Sequence, residues 1–286
     1  MNGDTNGTTT TVVEMPPQAE ENPFAQRVAA TEAAKPKKAS LLSQITTRKR
    51  RRPIFAVIYG PPGIGKSTFA SQAPKPIFIP AERGLDQITT SKFPTPKTFK
   101  ELWEMVTVLD SEEHEYETIV LDTLDAVEVL IWARVCQEGK VVSIEDYAGG
   151  YGKGYVRARE IWTGLLNKLS EMSERFNILL LAHSHLKTIT DPTLSAAYDQ
   201  YKIKVHDKSA DIIRQMVDLI LFANLDVTVA KETPKARKGR GIVSGDRQLW
   251  TQPATGIEAK NRFNLESPIS FEWEALATGI DKFYQS

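Results

Sequence analysis

Pro53-Ile54-Phe55-Ala56-Val57-Ile58-Tyr59-Gly60-Pro61-Pro62-Gly63-Ile64-Gly65-Lys66-Ser67-Thr68-Phe69-Ala70 is the stretch whose reading decides the fold. Pro53 to Tyr59 is a short, nearly continuous apolar run, the pattern of a strand buried on both faces of a parallel sheet. Gly60 to Ser67 then has the spacing of a phosphate-binding loop. Its glycines let the backbone wrap an anion, and successive amide N–H groups point inward at the positive end of the following helix. Gly60, Pro61, Pro62, Gly63, Ile64, Gly65, Lys66, Ser67 and Thr68 are therefore the candidate nucleotide-binding residues. Lys66 is expected to reach the β- and γ-phosphates and the Ser67 hydroxyl to ligate Mg²⁺. A chance match in a glycine-rich turn would not need an apolar strand before it and a helix after it.

Moving outward, Ile77-Phe78-Ile79, Thr118-Ile119-Val120-Leu121, Ile178-Leu179-Leu180-Leu181 and Leu219-Ile220-Leu221-Phe222 are further apolar runs. Segments of helical periodicity such as Phe99 to Leu109 and Ile161 to Phe176 separate them. The alternation predicts an α/β fold: a doubly wound, mostly parallel sheet flanked by helices, with ligands at the carboxyl ends of its strands. Asp122 closes the Thr118 run and supplies the second part of a nucleotide site, a strand-end carboxylate for Mg²⁺. The plainer alternative, a helix cap, can be filled by Thr123 or Asp125 instead.

Length and composition set the bounds. The 286 residues, 41% hydrophobic, suffice for one sizeable core. Residues 1–50 read as a disordered arm: Thr, Ala, Glu, Pro and Asn dominate it, too polar to offset chain entropy by burial. The arm ends in a basic run, Lys35-Pro36-Lys37-Lys38 and then Arg48-Lys49-Arg50-Arg51-Arg52, either a solvated charge run or a contact to phosphates. Residues 53–286 form the folded domain. The 36 Lys plus Arg balance 36 Asp plus Glu, so net charge argues for no polyanionic partner. The single cysteine, Cys136, excludes an internal disulfide and multi-cysteine metal sites. With no apolar run near the roughly 20 residues of a membrane span and no signal-peptide core, no membrane partner and a cytoplasmic location are expected.

The order of further motifs resembles the RecA-type ATPases. Pro76-Ile77-Phe78-Ile79-Pro80-Ala81-Glu82-Arg83-Gly84-Leu85-Asp86 is similar to their strand ending in Ala-Glu, whose glutamate polarises the attacking water, which makes Glu82 the expected catalytic base. Asn177-Ile178-Leu179-Leu180-Leu181-Ala182-His183-Ser184-His185 resembles the strand whose terminal polar residue, often Gln, senses the γ-phosphate; His183 takes that place. His183 and His185 also invite a zinc reading, but the sequence places no third ligand. Ala259-Lys260-Asn261-Arg262-Phe263 looks like the Lys-x-Arg segment of the RecA and DnaB-type helicase superfamily, whose cations reach a neighbouring subunit's γ-phosphate. Lys260 and Arg262, two apart, face the same way on a strand. Classical AAA motors carry an acidic pair at the end of the Mg-binding strand; Asp122-Thr123 departs from that.

Two stretches read as mobile loops on the ligand side. Asp146 to Arg159 interleaves glycines with Tyr151, Lys153, Tyr155, Arg157 and Arg159, and flat rings plus cations suit single-stranded nucleic acid. The second runs from Leu186 through Lys187, Tyr198, Tyr201, Lys202 and Lys204 to His206, where RecA-like proteins place a DNA loop. A third, Lys231 to Arg247, is a hairpin tip, a lid or another basic contact. The resemblance covers about residues 53–280 and is nearest to the short, core-only RecA-like ATPases of bacteriophages that assist annealing and recombination. It implies a DNA-stimulated, ATP- and Mg²⁺-dependent ATPase, homo-oligomeric with ATP at subunit interfaces. Its partners would be single-stranded DNA and a single-strand-binding or annealing protein. The competing readings are a hexameric helicase or AAA-type motor, a small-molecule kinase, and a non-hydrolysing assembly protein.

Overall fold

The computed structural model describes residues 45–47, 49–193, 195–230 and 240–286. The chain divides into two units, Met1–Arg48 and Lys49–Ser286, and the architecture below is that of the second. The disordered arm expected over residues 1–50 lies almost wholly outside the described residues, as do Lys235, Arg237 and Lys238 of the third basic stretch.

In chain order the elements are β1 (Phe55–Gly60), α1 (Lys66–Ser71), β2 (Pro76–Pro80), β3 (Ser91–Lys92), α2 (Phe99–Ser111), β4 (Thr118–Asp122), α3 (Leu124–Gly139) and α4 (Lys153–Met172). There follow β5 (Asn177–Ile189), β6 (Tyr198–Ile203), α5 (Asp207–Met216), β7 (Leu219–Ala230), β8 (Arg240–Trp250), β9 (Lys260–Asn261), β10 (Ile269–Ser270) and α6 (Trp273–Gln285). The sheet runs β10-β8-β7-β1-β5-β4-β2-β3. From β7 to β3 every pairing is parallel, while β8 and β10 join antiparallel. This is the doubly wound, mostly parallel α/β sheet that the apolar runs predict, consistent with the RecA-like fold that the motif resemblance implies.

The runs are continuous because alternate residues of each strand enter different cores. On β1, Phe55, Val57 and Tyr59 pack with Ile119, Leu121, Ile178 and Leu180 under α2–α5. Ala56 and Ile58 pack with Phe78, Val120, Leu179 and Leu181 under α1 and α6. Helices thus cover both faces, and the carboxyl edge of the parallel strands is where such a sheet takes its ligand. Register aligns that edge: Pro80 pairs with Asp122, Asp122 with Leu181, and Gly60 with His183.

Of the basic run, Lys49 to Arg52 belong to this unit and are turned toward its surface. Arg50 pairs with Glu174 at 2.9 Å, Arg51 with Asp281 at 2.5 Å and Arg52 with Asp218 at 2.6 Å. Lys49 Nζ donates to the Phe283 carbonyl at 3.1 Å and lies 4.4 Å from its ring centre. Among the described residues no helix is long and apolar enough to cross a membrane.

Candidate nucleotide site

The phosphate loop joins β1 to α1, and its backbone explains its glycines. A Cβ at Gly60 would stand 2.3 Å from the Ala223 carbonyl oxygen, so only glycine lets β7 lie so close. Gly65 holds φ +103° as the N-cap of α1 and has no side-chain cap, which leaves the first N–H groups of the helix for an anion. Lys66 is buried and donates to the carbonyls of Gly60 and Pro61, both at 3.1 Å. Burial lowers its pKa, against the pull of Asp122, Asp125 and Glu82.

Ser67 Oγ donates to Asp122 Oδ2 at 2.7 Å, so the two residues expected to ligate Mg²⁺, far apart in sequence, meet. A hydroxyl and a buried carboxylate supply oxygen donors of the kind a hard divalent cation takes, and these residues would hold it. Burial raises the Asp122 pKa, opposed by the Ser67 hydrogen bond and by Lys66. Three carboxylates (Asp122, Asp125 and Glu82) surround one lysine, a surplus of negative charge that suits such a cation.

Glu82 stands just past β2, and its backbone N–H donates to the Asp122 carbonyl at 3.3 Å. Its Oε1 is 3.9 Å from His183 Nε2. Burial raises the Glu82 pKa, with His183 opposing. The other ring nitrogen of His183, Nδ1, is 2.8 Å from Asp125 Oδ2, and Asp125 Oδ1 accepts the His183 backbone N–H at 3.1 Å. Burial alone would raise the Asp125 pKa, but these His183 hydrogen bonds hold it below the usual carboxylate value. Asp125, read from sequence only as a possible helix cap, is instead the residue that orients His183. Because Asp125 accepts at Nδ1, a neutral His183 presents a lone pair at Nε2; donation from Nε2 to a phosphate requires the doubly protonated ring. Glu82, Asp125 and His183 keep one donor atom each within 4.8 Å of one another. His185 is no part of this group: its Nδ1 is buried without a partner among the described residues.

Lys260 and Arg262 lie elsewhere. β9 pairs with Leu219 and Ile220 at the start of β7, the edge of the sheet opposite the phosphate loop. Lys260 Nζ donates to the Arg214 carbonyl at 2.6 Å at the end of α5, and Arg262 donates to Asp218 Oδ1 at 2.9 Å. Neither reaches the phosphate loop of its own chain.

Both expected mobile loops are largely regular structure. Lys153, Tyr155, Arg157 and Arg159 open α4, because Ala158, Ile161, Trp162, Leu165, Leu166 and Leu169 recur at helical spacing and bury one face. Only the turn before it fits the loop reading, with Tyr151 98% exposed at positive φ. Leu186 to His206 is mostly the β5–β6 hairpin, with Lys187 opposite Gln200 and Leu186 opposite Tyr201. Arg157 binds Glu138 and Glu160, Lys187 binds Asp207, and Lys202 approaches Glu258. Tyr198 is half-buried, Tyr201 stacks on Phe222 and Tyr155 on His206, while Lys204 is exposed and its N–H donates to the His183 carbonyl at 2.9 Å. Arg159 faces a groove of about 560 Å³ beside Lys208 and Arg214.

Sequence comparison adds two findings. A family model described as an AAA domain matches residues 52–263. A Bacillus subtilis (strain 168) protein, the SPbeta prophage-derived uncharacterized protein YorG, is 29% identical over 131 residues, 44% of this chain and 40% of its own length. The similarity thus spans less than half of that relative.

Proposed function

From the premise that the chain belongs to the AAA-domain family and is a P-loop ATPase, we propose that it couples ATP hydrolysis to single-stranded DNA. The process would be phage DNA recombination, repair or annealing. In this reading the loop from Gly60 to Thr68 binds the nucleotide, Ser67 and Asp122 hold Mg²⁺, and Glu82 accepts a proton from the attacking water. Mg²⁺, when bound, offsets the charge that develops on the transferred phosphoryl group. Lys260 and Arg262 would serve the γ-phosphate of the next copy in a homo-oligomer.

The observation that carries the coupling is the continuity of β5. His183 sits beside Glu82 at the phosphate end, and the same strand runs on as the hairpin bearing Lys187, Tyr201, Lys202 and Lys204. A shift of His183 on loss of the γ-phosphate would move that hairpin directly. The prophage origin of the B. subtilis relative supports a phage setting, and a single-strand-binding or annealing protein is the partner such work needs.

One observation favours a second reading. Carboxylates already neutralise Arg157, Lys187 and Lys202, which suits a hexameric helicase or AAA-type motor acting on another substrate. Steady-state ATP hydrolysis with and without single-stranded DNA, at low and moderate salt, separates the two. Stimulation that falls as salt rises is the expected result, because phosphate contacts release counterions. Turnover indifferent to DNA would overturn the coupling and leave the motor.

A further inference from the structure

Arg247 is far from the phosphate loop in sequence and next to it in space. Its guanidinium Nη1 lies 2.7 Å from where a Cβ on Gly65 would stand, and the Phe271 ring lies 3.7 Å from the same point. The backbone of Arg247 is held: it pairs with Leu225 across β7–β8, and its carbonyl accepts the Phe271 N–H at 3.2 Å. Phe271 in turn stacks on Phe69 of α1, ring centres 4.8 Å apart. A rigid sheet edge therefore delivers a guanidinium to the amino end of α1.

That is an unfavourable place for a cation on its own, since a helix amino end carries partial positive charge and Lys66 is buried beside it. An anion bound between them reverses the sign of each contact. The same arginine lines a groove of about 630 Å³ between the end of α1 and β8–β10, with Gln72, Asp246, Gln248, Ser270 and Glu272. A volume in that range holds a nucleoside, and the polar lining offers hydrogen-bond partners to a sugar and a base edge.

We propose that Arg247 is an in-chain phosphate ligand and that the groove beside it receives the nucleoside end of the bound nucleotide. This rests on the nucleotide-site reading above and adds a ligand from the β7–β8 hairpin. Binding would then draw β8 toward α1. A planar fork that makes two parallel bonds suits a phosphate better than an ammonium does, so lysine should replace Arg247 only in part.

The test is equilibrium binding of ATP and of inorganic tripolyphosphate, each with Mg²⁺, to the full chain. Wild type should prefer ATP, and Arg247→Ala should weaken both ligands roughly 10- to 100-fold, the range for a charge-assisted hydrogen bond. Arg247→Lys should fall between. Ser270→Trp, which fills the groove from an exposed position, should weaken ATP while sparing tripolyphosphate. Unchanged tripolyphosphate affinity in Arg247→Ala, with an unchanged melting midpoint, overturns the arginine. If that variant fails to fold, Arg247→Lys decides: wild-type affinity for both ligands then overturns it. Unchanged ATP affinity in Ser270→Trp overturns the groove. Failure of wild type to bind either ligand, or retention of both by Lys66→Ala, would instead overturn the nucleotide-site reading on which this one rests.

Discussion

Arg262 has a structural role inside its own chain and a proposed catalytic role in the next, and the two predict different sizes of effect. Its guanidinium shares Asp218 with Arg52, and the Asp218 side chain is only 1% exposed. Stranding such a carboxylate alone would cost about 3–5 kcal/mol. In Arg262→Ala, however, Arg52 stays 2.6 Å from Asp218, so about 1–2 kcal/mol is expected, a fall of roughly 2–8 °C in melting midpoint for a domain of this size. If that were all, turnover per folded molecule at 25 °C would hardly change. A cation acting on the transferred phosphoryl group is worth about 10³–10⁵ in rate. The expectation is therefore a loss of kcat far beyond the stability loss, with nucleotide binding nearly intact. Mixing decides whether the action is in trans. Arg262→Ala keeps its phosphate loop and Lys66→Ala keeps its arginine. Random assembly of equal amounts should restore about one quarter of the interfaces, each joining an intact loop to an intact arginine. The assay is phosphate release at fixed total protein across mixing ratios. A flat, inactive profile, or turnover that tracks the folded fraction alone, refutes the reasoning and leaves Arg262 as a clamp on Asp218.

Two further expectations concern the relay at the carboxyl edge. Glu82→Gln should retain ATP but lose hydrolysis by at least about 10²-fold, as for removal of a general base; normal single-turnover rates would remove Glu82 from the chemistry. In wild type, hydrolysis needs Glu82 ionised, and burial raises its pKa in the free protein, so the acid limb of the kcat/KM profile should lie above the usual glutamate value of about 4.3. An acid limb at or below that value would refute the assignment. Asp125→Ala removes both hydrogen bonds that hold His183 and should cost about 2–3 kcal/mol. The Asp125 pKa is lowered in the folded state, so its contribution is fully present above the unfolded value of about 3.9 and is lost as pH falls through the lower folded value. Denaturant melts of both forms from pH 7 down to pH 3 check this: their difference should hold to about pH 4 and shrink below it.

What sequence could and could not reveal follows the range of the interactions. The phosphate loop was legible because its chemistry is local: consecutive glycines, a lysine and a serine perform it in one turn of chain. Asp122 was legible because strand ends in a parallel sheet share an edge, so an apolar run closed by a carboxylate already implies a position. Asp125 reads from sequence only as one of two residues that could cap α3. Its partner lies 58 residues on, and nothing in Thr123-Leu124-Asp125 marks a side chain turned toward β5 rather than back to its own helix. Arg247 was blurred into a basic stretch because its neighbour, Gly65, is brought to it by β7 lying against β1, a pairing that no spacing encodes.

The loop readings failed for a related reason. Glycine, tyrosine and cations at Asp146 to Arg159 fit a flexible binder by composition, yet the buried stripe from Ala158 to Leu169 draws the helix back as far as Lys153. Packing of one face overrides what the other face suggests. The same logic turns Lys260 inward: at the end of α5 the orphan carbonyls of Arg214 and Gln215 need donors, and a lysine on an adjoining strand supplies them. A cation placed so can still serve a neighbour only by giving up those carbonyls. Subunit assembly would then be coupled to fraying of the last turn of α5, which the Arg214–Glu258 ion pair ties to the segment before β9.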